Sequence, residues 1–382
     1  MAEPRILFVA GEPSGDLHAS FLIRELKRLH PGIKTFGMGG ARMKEEGVEI
    51  LQRIEDLAVV GLWEVVYRLP KIRKALSTLC RALKERKPDL LLLIDYPGFN
   101  LRLARQAKKE GFKVLYYITP QVWAWGKWRL RQMKRWVDRA IVILPFEEKL
   151  FQDVGVPTTF VGHPLLDIVH SQLSRSELCH SLKLSPAKPL IGLLPGSRKG
   201  EVERILPLML QCAEEIQKEI KASFVVPLAP GIEQKEIWKR VKHRYPRIGS
   251  SSELRIINGN TYEVMKNADL LLVASGSATL EAALLGTPMV ILYKLSPLSY
   301  WIGKRIVRVQ NLGLVNIVAE RRVVPEFIQS SARPSLVVPE AISLLTDEDR
   351  RNRMRQDLKE VKERLGEPGA PVKAAKAVLE EL

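Results

Sequence analysis

Asp95 closes a wholly apolar run in PDLLLLIDYPGFN (residues 88–100), and Pro97 and Gly98 turn the chain straight after it. A carboxylate at the carboxyl edge of a buried strand can take a proton from a hydroxyl once burial lifts its pKa above the usual value of about 3.9. The same spacing also suits an aspartate that only caps the next turn. A complementary chemistry sits in the second half, in SGSATLEAALLGTP (residues 275–288). Ser275, Gly276 and Ser277 leave a ligand room to approach the backbone, and a helix starting near Ala278 aims free N–H groups at an anion. Glu281 falls in the first turn of that helix, where it stabilises the helix or accepts hydrogen bonds from a pair of sugar hydroxyls. In LLPGSRKGEVER, the Pro195–Gly196 turn presents Ser197 and Arg198. The guanidinium suits a bidentate contact with a diphosphate, or a simple ion pair with Glu201 or Glu203.

Each of these groups needs a strand to carry it and a turn to expose it. Apolar runs at Arg5–Ala10, Leu90–Ile94, Val114–Ile118, Ala140–Leu144, Leu190–Leu194, Ser223–Leu228, Leu254–Ile257, Leu270–Val273 and Met289–Leu292 alternate with helical patterns, the cadence of βαβ units in parallel sheets. Ligands bind at the carboxyl ends of such strands. After the first strand comes GEPSGDLH. Its Gly11 and Gly15 lack the dinucleotide G-x-G-x-x-G spacing. Gly11, Ser14, Gly15, Asp16 and His18 form either one wall of a cleft or a helix start capped by Ser14 or Asp16. His163, just before a proline, reads as structural.

A chain of 382 residues exceeds one ordinary core, so two α/β domains are expected, over 1–168 and 186–345. A charged helical tail over 346–382 should cross back to the first domain or pack on a partner subunit in a homodimer. Three scattered cysteines show no metal or redox spacing, and no Asp-x-Asp pair suggests a metal. Met1–Ser20 does not read as a signal peptide, and the apolar runs are too short to cross a bilayer. The outlier is a net charge of +17, which calls for an anionic partner: a nucleic acid, a phosphorylated substrate or an acidic membrane surface.

Two basic–aromatic stretches compete for that partner. Residues 57–87 join an apolar element with Trp63 and Tyr67 to a lysine- and arginine-rich helix, which docks on lipid headgroups or is an ordinary amphipathic helix with a solvated cationic face. In TPQVWAWGKWRLRQMKRW, Trp123, Trp125, Arg129 and Arg131 suit a membrane interface or single-stranded nucleic acid. No RNP, KH or zinc signature supports the nucleic-acid reading.

Two α/β halves with glycine-marked turns and one anion cradle suggest a nucleotide-sugar glycosyltransferase of GT-B architecture, two Rossmann-like domains facing across a cleft. GEPSGDLH, the Leu57–Pro70 segment ending EVVYRLP, IDYPGFN, TPQVWAW, LLPGSRKGEVER, SGSATLEAALLGTPMVILYK and NLGLVNIVAERRVVPEFIQ together resemble the lipid-A-disaccharide synthase family, in order and over nearly the whole chain. Pro13 stands where that family commonly has alanine.

The resemblance implies inverting transfer of 2,3-diacylglucosamine from its UDP donor to 2,3-diacylglucosamine 1-phosphate, releasing UDP. It implies Asp95 as base with His18 as partner. It also implies a diphosphate site of Gly196, Ser197, Arg198, Ser275, Gly276 and Ser277, with Glu281 on the ribose and Asn316 supporting the donor. Gly11, Ser14, Gly15, Asp16 and Asn100 fall to the acceptor side. No cofactor or metal and no nucleic acid is expected. The protein would lie peripherally on the cytoplasmic face of the inner membrane. Another GT-B enzyme, such as a UDP-GlcNAc epimerase, is the nearest rival.

Overall fold

A strand with aliphatic side chains on both faces can be stable only when helices cover both sides of its sheet. The computed structural model describes residues 3–56, 62–124, 126, 128–295 and 311–382, and in the helix Leu62–Arg86 it describes side chains from Leu69 onward. Trp63, Tyr67 and Trp125 therefore lie outside the described side chains. Contacts divide the chain into one unit of Met1–Leu166 with Leu365–Leu382 and a second of Asp167–Arg364.

The first unit holds β1 (Arg5–Ala10), β2 (Lys34–Gly39), β3 (Glu49–Arg53), β4 (Leu90–Ile94), β5 (Lys113–Tyr117), β6 (Arg139–Val142) and β7 (Thr158–Phe160). They form one parallel sheet in the order β3-β2-β1-β4-β5-β6-β7. Core lies on both sides: Leu7, Val9, Leu91 and Leu93 pack on one face, and Ile6, Phe8, Leu90 and Leu92 on the other. The second unit holds β8 (Leu190–Leu194), β9 (Ser223–Leu228), β10 (Leu254–Asn258), β11 (Leu270–Ala274), β12 (Met289–Tyr293) and β13 (Glu326–Ile328). Their order is β10-β9-β8-β11-β12-β13, again parallel.

Both orders reverse direction once, and a parallel sheet opens a crevice where its order reverses. In the first unit the reversal falls between β1 and β4, paired through Ala10 and Ile94. In the second it falls between β8 and β11, paired through Leu194 and Val273.

The terminal segment is not one piece. The helix Glu348–Arg364 belongs to the second unit and packs on the helices Ala278–Leu284 and Leu314–Ala319. From Leu365 the chain belongs to the first unit, where the helix Ala370–Leu379 packs on the helix Pro13–Leu29. Arg139 pairs with Glu380 and Glu381, and Lys113 with Glu381, at its end.

Candidate active site

Asp95 follows the last residue of β4, at the first unit's reversal point. Asp95 and Tyr96 both have φ +47°, so two non-glycine residues in succession adopt the left-handed conformation. Each such residue costs on the order of 1 kcal/mol or more and persists only where its surroundings hold it. The hold is visible here: Tyr116 Oη donates to the Asp95 carbonyl at 2.5 Å and Asn100 Nδ2 donates to it at 2.7 Å. The Asp95 carboxyl is half-buried, and burial together with the nearby Glu12 carboxylate pushes its pKa up to about 6. Such a group is ionised at neutral pH yet basic enough to accept a proton in a transition state.

Asn100 contributes to this elbow from inside. It is fully buried, its amide donates to the carbonyls of Ile94 and Asp95, and it offers no surface to an acceptor. Asp16, read above as a cap or cleft wall, is likewise structural. Its carboxylate is buried and accepts from the backbone N–H groups of Gly40, Arg42 and Met43, tying the first helix to the turn after β2. The helix starts at Pro13, with Glu12 rather than Ser14 or Asp16 at its cap. Ser14 is exposed beside that start, whereas Gly15 is buried against Ala10 and Ile94. At Gly11 a Cβ would stand 2.1 Å from the Tyr96 ring, so the glycine lets the β1 and β4 loops close on each other.

His18 shares no hydrogen bond with Asp95 among the described residues. It is half-buried, its pKa is pushed down to about 4 by burial, and it lies within electrostatic reach of His163. His163 is buried, accepts from the Leu165 backbone N–H at Nδ1, and its backbone N–H donates to the Leu365 carbonyl.

In the second unit, the loops after β8 and β11 are neighbours because those strands pair. Gly196 has φ +108°, and Ser197 and Arg198 after it are exposed. Arg198 lies 3.7 Å from Glu201, a long ion pair with the arginine side chain 79% exposed. A pair so solvated is worth little, so the guanidinium can exchange Glu201 for a phosphate cheaply. Gly276 and Ser277 are exposed, and no atom lies within 4 Å of where a Gly276 Cβ would point. Ser275 Oγ donates to the Leu312 carbonyl, and Ser277 Oγ donates to Glu281 Oε1. Burial raises the Glu281 pKa, with the Ser277 bond opposing it.

Asn316 does not reach out to a donor. It is fully buried, and its amide uses every hydrogen-bonding position internally: Nδ2 donates to the Val324 carbonyl and Glu326 Oε1, and Oδ1 accepts from the N–H groups of Val323 and Val324. Glu326 in turn accepts from the N–H groups of Leu312 and Gly313. The two residues knit the segment that receives the Ser275 hydroxyl.

The Trp/Arg stretch divides. Trp123 is packed in rather than turned out: its indole N–H donates to Glu147 Oε1 at 3.1 Å, and its ring stands edge-on to Phe146. Glu147 is buried, and burial pushes its pKa up to about 8 against the hydrogen bonds it accepts. Arg131 is exposed. Arg129 is half-buried, lies over the Trp128 ring, and is within electrostatic reach of Tyr116, so it borders the Asp95 elbow.

Glu12 and Tyr116 are the site residues that sequence reasoning missed. Glu12 lay within the GEPSG loop, but only the β1–β4 pairing places it beside Asp95. Tyr116 reads as one more apolar strand residue.

The whole chain aligns with solved structures of the two-unit kind. A co-structure of S. aureus MnaA with UDP matches 99% of this chain and 98% of that one at TM-score 0.66 and 12% identity. A Neisseria meningitidis UDP-GlcNAc 2-epimerase bound to UDP-GlcNAc matches 98% of each chain at TM-score 0.61 and 14% identity. At such identities the likeness shows the fold, which is GT-B with two Rossmann-like units. In sequence, the chain is 45% identical to the lipid-A-disaccharide synthase of Syntrophus aciditrophicus over 371 residues, 97% of this chain and 96% of the relative. It is 43% identical to that of Geobacter sulfurreducens over 380 residues, 99% and 97% of the two chains. The family model described as lipid-A-disaccharide synthetase matches residues 6–380, and the chain belongs to that family.

Proposed function

We propose that the protein is a lipid-A-disaccharide synthase that joins two diacylated glucosamines with inversion at the transferred carbon. The observation that carries the reading is Asp95, a base with its pKa near 6 at the reversal point of one sheet, in a chain of this family. The 6-hydroxyl oxygen of 2,3-diacylglucosamine 1-phosphate forms a bond to the anomeric carbon of UDP-2,3-diacylglucosamine. The bond from that carbon to the diphosphate oxygen breaks, and its electron pair leaves on UDP. Asp95 takes the hydroxyl proton as the oxocarbenium-like state forms. Arg198 and the backbone of Ser275–Ser277 stabilise the charge that builds on the diphosphate, so no metal is required. Glu281 accepts from the ribose hydroxyls once Ser277 swings away. Asn100, Asn316 and Asp16 act through the backbone they hold, and His18 stays neutral within the first helix, half-buried.

Lipid substrates call for a membrane surface. No described helix is long and apolar enough to span one. Exposed Lys71, Arg73 and Lys74 beside exposed Leu69 suit peripheral contact with the anionic cytoplasmic face of the inner membrane, each cation adding about 1 kcal/mol. A homodimer is compatible with this contact.

The test is incubation with both acylated sugars and mass spectrometry of the lipid product. A β-1,6 disaccharide 1-phosphate with stoichiometric UDP supports the reading, whereas interconversion of UDP-GlcNAc alone marks an epimerase. The cradle is tested separately by Gly276→Leu. With open space at that Cβ, the variant should melt like the wild type while UDP affinity, by calorimetry, falls at least about tenfold through a blocked approach.

A further inference from the structure

Within the first unit a pocket of about 480 Å³ opens between the helices Leu62–Arg86, Pro97–Lys109 and Trp128–Trp136. It begins at Pro97 and Gly98, directly after the Asp95–Tyr96 elbow. Gly98, Arg102 and Arg105 lie at i, i+4 and i+7 of one helix, so the two arginines rise along one face at about 6 and 10 Å from Gly98. Leu76, Leu101, Trp128 and Trp136 supply an apolar wall, and Arg129 completes the rim. Among the described residues, no carboxylate lines the pocket. Arg102 and Arg105 are exposed and form no ion pair among the described residues. Arg105 lies over the Trp136 ring and Arg129 over that of Trp128, at 5.9 and 5.0 Å from the ring centroids.

An apolar wall rimmed by arginines and free of acid suits a ligand that is apolar at one end and doubly anionic at the other. A pocket that begins two residues past the base, with its first arginine seven residues past it, suits an anion on the acceptor, since the donor's diphosphate has its own cradle in the second unit. We infer that Arg102 and Arg105 bind the phosphate of the acylated acceptor sugar, with an acyl chain against the Leu76–Trp136 wall, and that they select the phosphorylated acceptor. This inference rests on the transferase reading above, deepening it to one substrate group.

The experiment measures kcat/KM in neutral detergent micelles, which remove the membrane's charge, for acceptors with and without the 1-phosphate. R102A/R105A should lose about 100-fold on the phosphorylated acceptor and less than about threefold on the unphosphorylated one, with the donor KM unchanged. The single substitution Arg105→Lys, which keeps charge but not the fork, should fall between the two. K109A/K134A removes the same charge from exposed positions outside the pocket and should leave the ratio of the two acceptors unaltered. Equal loss on both acceptors would overturn the inference and assign these arginines a structural part. Full activity in micelles with lost sedimentation on phosphatidylglycerol vesicles would overturn it in favour of membrane recruitment. A wild-type protein that makes no disaccharide would instead defeat the transferase reading itself, before any variant is compared.

Discussion

Asp95→Asn should lower kcat by about 10³-fold while leaving UDP affinity within a factor of two. Removing a general base eliminates an interaction made only in the transition state, and the nucleotide site proposed above uses other residues. The pH profile makes the assignment specific. Burial and Glu12 raise the Asp95 pKa to about 6, so wild-type kcat/KM should fall tenfold per pH unit below that value and level off above it. The residual rate of the asparagine variant should lose this limb. Stability should move the opposite way. A carboxyl with a raised native pKa contributes stability below its unfolded pKa, and that contribution is lost as pH rises through about 6. At pH 7 the charged Asp95 therefore costs up to about 3 kcal/mol. Asparagine is neutral, and it tolerates the left-handed backbone at φ +47° better than most residues. The variant should thus melt several degrees higher at pH 7 than the wild type, with the difference vanishing near pH 4. A variant that is inactive and also less stable would point to a collapsed elbow instead of a missing base.

Gly37→Ala carries the largest expected effect on folding, well away from any reacting atom. Gly37 sits in β2 opposite Phe8 of β1, with φ +148° where the β2–β3 register shifts. A Cβ there would fall 1.9 Å from the Phe8 carbonyl oxygen and 2.9 Å from its carbon. Both are main-chain atoms of a strand between β2 and β4, so no rotamer change relieves the clash. The sheet must break its β1–β2 pairing, and the same strand leads into Gly11 and the Asp95 elbow. More than about 4 kcal/mol of destabilisation is expected, within the range where loss is attributable to one named steric cause. Urea unfolding followed by fluorescence should show the first unit melting early. UDP binding, proposed above for the second unit, should outlast it. Gly276 makes the contrast, because open space at its Cβ leaves substitution to act on the ligand alone.

Local sequence was enough to place the long apolar strands, because runs such as LLLLI at 90–94 and LLLVA at 270–274 have no stable alternative to a sheet covered on both sides, but it did not mark the short edge strands β3 and β13. It was enough, too, to put Asp95, Arg198 and Gly276 at carboxyl edges, since a polar residue or a tight turn straight after a buried strand has nowhere else to go. The motif set then identified the family. Strand order was a different matter. That β1 pairs with β4 and β8 with β11, bringing Glu12 beside Asp95 and the Arg198 loop beside Ser275, depends on which crossover packs where, and no short window of sequence carries that information. Direction of polar side chains was also decided in three dimensions. Asp16 turns inward to amides 24 to 27 residues away, Asn316 closes on a loop that ends at Glu326, and Trp123 finds a buried carboxyl at Glu147. A polar group buried without partners is costly, so each of these settles where distant backbone supplies them, and only the folded chain reveals where that is.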